Sequence, residues 1–576
     1  MTRVVGELLA RSARLVPDRA AVIVDGQTTL TFAEIDARAN AFAHGLRARG
    51  VEPGHRVALD LGAADWAYYV VAYVGVLRLG AVALLTATRF PDAELDRIVT
   101  GYNVAAVIRG PEHAAASAPG PVLDVTTVEC GQPTTPVPVT VRPEDPAEVI
   151  FTSGTTARPR GVVATHANLT GAQTTWPTAV RANQPVAHAL PLGSVAAQAV
   201  LLSCLGGQHT MVVASRFTVA DFTALAHRHA VTTVCLVPAM GHWLAQAPAE
   251  EVTVVPSVKG VSFSGAALPV AALPDLPRVF PNATFFNFYT STETYPARVA
   301  TRVDPARPES VGRPVGASAV QVRGPDGAEV PPGTVGEVWL RAGNAPPRQL
   351  LDDDGTGSPV RDGWTRTGDL GYLDDEGYLY LTGRVADIVI VGGVNVSTGR
   401  VEQVLARHPA VAEAAVCGVD HPVLGQILAA FVVPRADTTA RDLREHARQH
   451  LARAEVPAII RIVADLPRNA AGKVVKRDLP ALLDTPGEAE FVAPRTDLER
   501  RIADVWARVL QLGAVGVTDN FFEIGGDSLA ATRIAGLLRE ELGLDVDAVA
   551  ILEAPSVAEL AATVVPDRKP EASWKG

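Results

Sequence analysis

The chain has 576 residues, 48% of them apolar and 20% charged, and a net charge of −11. This length excludes one compact core, because cores stop growing near about 250–300 residues, and the composition excludes disorder. The acidic balance excludes a nucleic-acid binder that relies on bulk positive charge.

Arginines run through the first twenty residues where a secretory leader would be apolar, so this stretch reads as an amphipathic helix. Residues 68–87 hold one charge, Arg78. At a membrane midplane it would cost about 2.5–3.5 kcal/mol, and Gly75 and Gly80 also interrupt the run. The reading is a buried helix entering a buried strand at 81–85. Strands at 56–61 and 104–108 alternate with helical patterns, the signature of a helix-covered parallel sheet. A Pro/Thr-rich loop (131–143) follows, and the alternation resumes from 148 to about 300. Residues 302–382 carry the turn sequences GPDG, PPGT, DDDGTG and DDEG between short strands, a β-rich part. Residues 385–483 mix helices with strands at 387–391, 414–419 and 428–433. A linker at 484–494 precedes a helical segment, 495–565, with twelve Asp/Glu against six Arg, a net −6. A polar tail, 566–576, is expected to be disordered. Four cysteines without CxxC spacing argue against disulfides and zinc, and fit a cytoplasmic setting.

Residues 150–163 read IFTSGTTARPRGVV. An apolar strand runs into Thr152, Ser153, Gly154, Thr155 and Thr156. Small hydroxyl residues and glycine let backbone N–H groups converge on phosphate oxygens, and Arg160 can add charge-assisted bonds. GxxxxGK[ST] does not occur.

TSGTTARPRG resembles the signature loop of the acyl-adenylate-forming enzymes, which include acyl- and aryl-CoA ligases and peptide-synthetase adenylation domains. Further motifs follow in that superfamily's order: LRLGAVALL (77–85), NFYTSTE (287–293), GEVWLR (336–341), WTRTGDL (364–370), GYLYLTGR with VGGVNVS (377–397), and LPRNAAGKVVKRDL (466–479). The resemblance implies an α/β fold: a large multi-part N-terminal domain (1–384) with a β-rich region, then a small mobile α+β lid (385–483). It also implies roles. Residues 152–156 and Arg160 hold the β- and γ-phosphates of ATP. Asn287 and Tyr289 meet adenine, Thr292 the α-phosphate, and Glu293 holds Mg²⁺. Asp369 takes the ribose hydroxyls with Arg384 in support, and Gly265 borders both nucleotide and acid. Lys473, one of only five lysines in the chain, bridges the attacking carboxylate and the phosphoester oxygen; a compact ammonium suits that space better than a guanidinium. The chain departs from the pattern at Ala157, Thr290, Ala386 and Asn469. Ala386 stands where the hinge residue is commonly Asp or Lys, with Asp387 next.

DNFFEIGGDSLAATRI (519–534) resembles the carrier-domain motif in which Ser528 bears 4′-phosphopantetheine. A serine opening a helix would place that phosphate at the positive helix end. An all-α four-helix carrier is expected at 495–565. A GxSxG hydrolase elbow is excluded: position 530 is Ala, and the last histidine is His450.

Amino-acid-activating members usually carry an aspartate in the helix after the phosphate loop. The matching segment, 188–209, holds no Asp or Glu, and an unpaired buried ammonium costs several kcal/mol. The expected substrate is therefore a small carboxylic acid without an α-amino group, aryl or short aliphatic, in a pocket of Ser194, Val195, Gln198, Met240, Gly265, Phe288 and Pro296. The expected activity is adenylation followed by loading of the chain's own carrier, as a loading didomain of natural-product biosynthesis. Alternatives are a β- or α-amino acid substrate, a CoA ligase, and an inactive carrier-presenting scaffold. Expected partners are a phosphopantetheinyl transferase and a downstream condensation, ketosynthase or tailoring enzyme, with no nucleic acid and no membrane. HHxxxDG is absent, so no condensation domain is expected.

Overall fold

The computed structural model describes residues 4–564, except 27, 87–91, 112–119, 153–159, 172–183, 266–269, 352–358, 392–393, 422–424, 469–473, 484–491, 511, 523, 525, 527, 548–549 and 552–553. The chain forms two compact units, divided between Thr382 and Gly383.

The first unit is built on two sheets. A seven-stranded sheet carries the parallel strands Arg56–Leu59, Val82–Leu85, Val104–Arg109, Val122–Asp124 and Pro146–Thr152. The helix Trp66–Arg78 packs on it and is buried from Tyr69 to Leu77. This is the apolar run that resembled a membrane span. Arg78, at its end, is held by the Asp36 carboxylate and, at 2.8 Å, by Asn40 Oδ1. Among the described residues no helix is long and apolar enough to cross a membrane.

A fourteen-stranded sheet changes character part-way. Ala20–Val24, Met211–Val213, Val186–His188, Thr233–Leu236, Gly260–Ser264 and Thr284–Tyr289 are parallel. From Val299–Arg302 onward pairing is antiparallel, and this is the β-rich part expected at 302–382.

The second unit opens on a lid sheet, Ile388–Val391, Val394–Ser397, Val411–His421, Gly425–Pro434 and Ile459–Ile462, covered by the helices Thr398–Ala406 and Ala440–His450. The strand expected at 387–391 begins one residue later, because Val385–Asp387 is a short 3₁₀ turn. The described carrier residues form three helices, Asp497–Leu510, Ser528–Leu542 and Val557–Thr563. They enclose a core of Ile502, Trp506, Phe521, Ile534, Leu538 and Leu560, with Trp506 edge-on to Phe521 at 5.0 Å.

Candidate active site

Four adjacent parallel strands end at one edge of the large sheet. They run in register: Thr233 lies opposite Val186 and Gly260, and Gly260 opposite Thr284. The region beyond the carboxyl ends of such strands is where open α/β sheets hold ligands. The expected acid-pocket residues fall there. Ser194 and Val195 begin the helix region after Val186–His188, and Gln198 lies one turn on. Met240 is buried in Pro238–Gln246, the helix after the second strand. Gly265 follows the third strand, Gly260–Ser264, with φ +92° and open space where a Cβ would stand, so only glycine takes this backbone without strain. Phe288 lies on the fourth strand, and Pro296 follows it.

Two of these residues are occupied otherwise than expected. The Ser194 hydroxyl caps its own helix, accepting from Ala197 N at 3.2 Å and donating to Pro191 O at 2.7 Å. Gln198 is buried, and its Nε2 donates to Glu148 Oε2 at 3.0 Å.

Strand alternation sends Phe288 to one face and its neighbours Asn287 and Tyr289 to the other; both neighbours are buried. Tyr289 Oη donates to Asp369 Oδ2 at 2.7 Å. Thr367 Oγ1 steadies Asp369 by accepting its N–H at 3.0 Å. The residue expected at adenine and the residue expected at ribose are thus in direct contact, though 80 positions apart. Beyond them Ser291 N–H donates to Thr294 Oγ1 at 3.0 Å, closing the turn that carries half-buried Thr292 and Glu293. Thr290 is not among the positive-φ residues, and its hydroxyl donates to Ala297 O at 2.7 Å. A side chain therefore does in this turn what the usual glycine is not needed for.

Arg160 opens the strand Arg160–Thr165, half-buried. Thr152 ends Pro146–Thr152, with its side chain outside the described residues. Ser153, Gly154, Thr155, Thr156 and Lys473 lie outside them altogether. Arg384 ends Leu379–Arg384, exposed. Ser528 is the first residue of the 15-residue helix Ser528–Leu542, and its side chain is not among those described.

Sequence reasoning missed a buried polar cluster beside the pocket. Glu148, fully buried, accepts from Tyr73 Oη at 2.7 Å as well as from Gln198, and its Oε1 faces Arg348 Nη2 at 3.7 Å. Arg348 Nε donates to Tyr295 O at 2.9 Å. Burial and the Glu148 charge both push the Tyr73 hydroxyl well above its ordinary pKa, so it stays a donor. The available signal was one charge, Glu148, in the otherwise apolar strand before the phosphate loop. His188, at the end of its strand, is fully buried, and burial lowers its pKa to about 3.

In the lid, Lys476 Nζ binds Glu402 at 2.8 Å, Asp387 at 3.0 Å and Thr398 Oγ1 at 2.8 Å. Burial works against its charge, and the two carboxylates outweigh burial to raise its pKa. Asp387, next to Ala386, is thereby held. The lid also meets the carrier. Arg444 Nη1 lies 3.1 Å from Glu559 Oε1, Arg448 Nη2 3.7 Å from its Oε2, and Asn520 Nδ2 donates to Ala458 O at 2.9 Å. Phe522 packs against the lid cluster of Phe431, Ile459, Leu466 and Leu479.

The fold and the domain order define a class: an adenylate-forming enzyme that carries its own thiolation module. Residues 9–345 match the AMP-binding enzyme family, 400–473 the AMP-binding enzyme C-terminal domain, and 500–564 the phosphopantetheine attachment site. The chain belongs to the AMP-binding enzymes. It is 31% identical to CymA, a probable nonribosomal peptide synthetase of Salinispora arenicola, over 94% of this chain and 7% of that protein. To the feruloyl-CoA synthase of an Amycolatopsis species it is 32% identical, over 82% of this chain and 98% of the other. Among solved structures it resembles the o-succinylbenzoate CoA synthetase of Bacillus subtilis bound to its acyl-adenylate, with TM-score 0.72 and 27% identity over 82% and 97% of the two chains. The chain is an adenylate-forming ligase fused to a carrier domain, and it uses ATP, Mg²⁺ and 4′-phosphopantetheine. The described residues fit these groups: the buried Tyr289–Asp369 pair offers a ring and a carboxylate of the kind a nucleoside needs, and Ser528 stands at the start of a helix long enough to favour a phosphate. No cluster of three or more His, Cys, Asp or Glu able to hold a metal occurs among the described residues.

Proposed function

We propose that the chain activates a small carboxylic acid without an α-amino group, aryl or short aliphatic, and loads it onto its own carrier for natural-product assembly. One observation carries this reading. The helix Val195–Gly207 bears no acid, and the carboxylate that reaches it from outside, Glu148, is committed to Tyr73, Gln198 and Arg348. An ammonium beside this helix would find no uncommitted counter-charge among the described residues of that helix and strand.

The acid's carboxylate oxygen attacks the α-phosphorus of ATP, and pyrophosphate leaves. Joining two anions is a matter of positioning and charge neutralisation. Asn287, Tyr289 and Asp369 fix the nucleoside; residues 152–156 and Arg160 hold the β- and γ-phosphates. Thr292 contacts the α-phosphate, Glu293 takes the metal, and Arg384 supports the ribose. Lys473 neutralises the charge that gathers between carboxylate and phosphate. When bound at Ser528, phosphopantetheine supplies the thiol that takes the acyl group and displaces AMP. A phosphopantetheinyl transferase must install it, and a downstream condensing or tailoring enzyme must receive the product.

ATP–pyrophosphate exchange across a panel of aryl, aliphatic, β-amino and α-amino acids tests the substrate class. Exchange with acids lacking an amino group supports it; exchange confined to amino acids overturns it. A second reading, a ligase releasing free CoA thioesters, draws on the likeness to feruloyl-CoA synthase. Acyl-CoA release that outpaces loading of the chain's own carrier favours it.

A further inference from the structure

Arg298 is a buried charged residue beside Phe288 that has no ion-pair partner among the described residues. It is 5% exposed. Among the described residues its Nε and Nη2 have no hydrogen-bond partner, and no carboxylate forms an ion pair with it. An arginine does not shed its proton at physiological pH, so the several kcal/mol cost of burying an unpaired charge persists until an anion arrives. Nε and Nη2 form one edge of the guanidinium, the fork that matches the two oxygens of a carboxylate.

Charge accounting around Tyr295 leaves the same vacancy. Two guanidiniums, Arg298 and Arg348, bear on this tyrosine, together with one carboxylate, Glu148. Glu148 faces Arg348. A second carboxylate, Glu293, also acts on Arg348, whereas among the described residues only the Tyr295 hydroxyl bears on Arg298.

The strand pairing says which ligand would meet it. Phe288 lies opposite Ala300 and Tyr289 opposite Val299. Residue 298, two before Ala300, therefore shares the face of Phe288, and the guanidinium carbon stands 5.8 Å from the Phe288 ring centre. Tyr289, bonded to Asp369, points to the other face. Arg298 is thus on the acid side of the strand, away from the residues that meet the nucleoside.

Resting on the acid-activation reading above, we infer that Arg298 binds a second carboxylate of the substrate, so that the acid activated is a dicarboxylic acid. One carboxylate goes to the α-phosphate, and the other is held side-on by Nε and Nη2.

The test uses the full chain in ATP–pyrophosphate exchange, with each diacid paired to its half-amide: succinate with succinamate, glutarate with glutaramate, isophthalate with its monoamide. A diacid is expected to exceed its half-amide in kcat/KM by about 100-fold, the order of a lost buried charge pair. Arg298→Met should abolish that preference and raise the relative use of the half-amide, and Arg298→Lys should restore part of it. ATP affinity, read by calorimetry, should be the same in all three proteins. Equal use of diacid and half-amide by the wild type, or a fall in ATP affinity in Arg298→Met that matches its loss of exchange, overturns the assignment and leaves acid activation standing. If no acid of any kind supports exchange, acid activation fails. The Arg298 assignment is then decided by thermal shift: diacids should stabilise the wild type and not Arg298→Met, and the reverse or no difference overturns it.

Discussion

Two buried ion pairs show how differently the two units are held. Glu148 and Arg348 are 0% and 1% exposed and lie inside one domain, enclosed by Tyr73, Gln198 and Tyr295. Arg444 and Glu559 are 7% and 11% exposed, but they join two separate cores, the lid's and the carrier's. Removing one member of the first strands a charge where water cannot follow. Removing one member of the second lets the seam part and hydrate the survivor, with both cores intact. Similar burial therefore has different consequences: one pair belongs to the fold, the other to an association.

The largest expected effect divides the two units by chemistry. Ser528→Ala should leave exchange intact and abolish acyl loading, seen as loss of the pantetheine mass shift on intact protein. Exchange that fell along with loading would show that the carrier takes part in adenylation. Next comes Glu148→Ala, which should destabilise the first unit by about 3–5 kcal/mol. In calorimetry its transition should drop while the carrier's stays in place. The double variant Glu148→Gln/Arg348→Met should recover most of the loss, since no charge is then left unpaired.

The residues expected at the nucleotide could be named from the sequence because the motifs that carry them are local. A turn of Ser and Thr, or a carboxylate after a glycine, needs only its neighbours in the chain. The Glu148–Arg348 pair was not legible, because it depends on a register. Val149 pairs with Val163, and Val163 with Gln349, which brings residues 148 and 348 together across three strands. No pattern within either segment announces this. Arg298 was hidden for the same reason: its face is fixed by pairing with the strand before it. Asn520 and Phe522 stood inside a motif readable as carrier. Their contacts with Ala458 and the lid cluster add a second use that the motif does not encode.

Acid should separate the two units again, by a smaller amount. Burial lowers the pKa of His188 to about 3, and burial, opposed by Asp145, lowers that of His166 to about 4, from 6.5. The folded protein therefore keeps these rings neutral at pH values where the unfolded chain protonates them. The unfolded state binds more protons below about pH 6.5, so stability is complete above that pH and falls as pH drops toward 4. The slope is at most about 1.4 kcal/mol per pH unit for each histidine. Residues 495–565 contain no histidine, so this source of acid sensitivity is missing from the carrier. Thermal unfolding between pH 7 and pH 4.5 should show the first unit's transition moving down faster than the carrier's. Parallel shifts would contradict the assignment of acid sensitivity to the two buried rings.

Glu559→Ala should change the least. The Glu559 N–H caps onto Ser556 Oγ, and that backbone bond survives the substitution, so the short helix Val557–Thr563 keeps its start. What is lost is the contact with Arg444 and Arg448. A hydrogen bond to a charged partner is worth about 1.5–3 kcal/mol, and here that energy bears on docking rather than folding. Asn520 and Phe522 still hold the seam, so the expected result is a carrier that docks less often but unfolds at an unchanged temperature. Amide exchange should rise at Ala458 and along Ala440–His450 while the carrier core around Trp506 stays protected. If the carrier core loses protection to the same degree, the seam is part of the carrier's fold, and the contrast with the Glu148–Arg348 pair disappears.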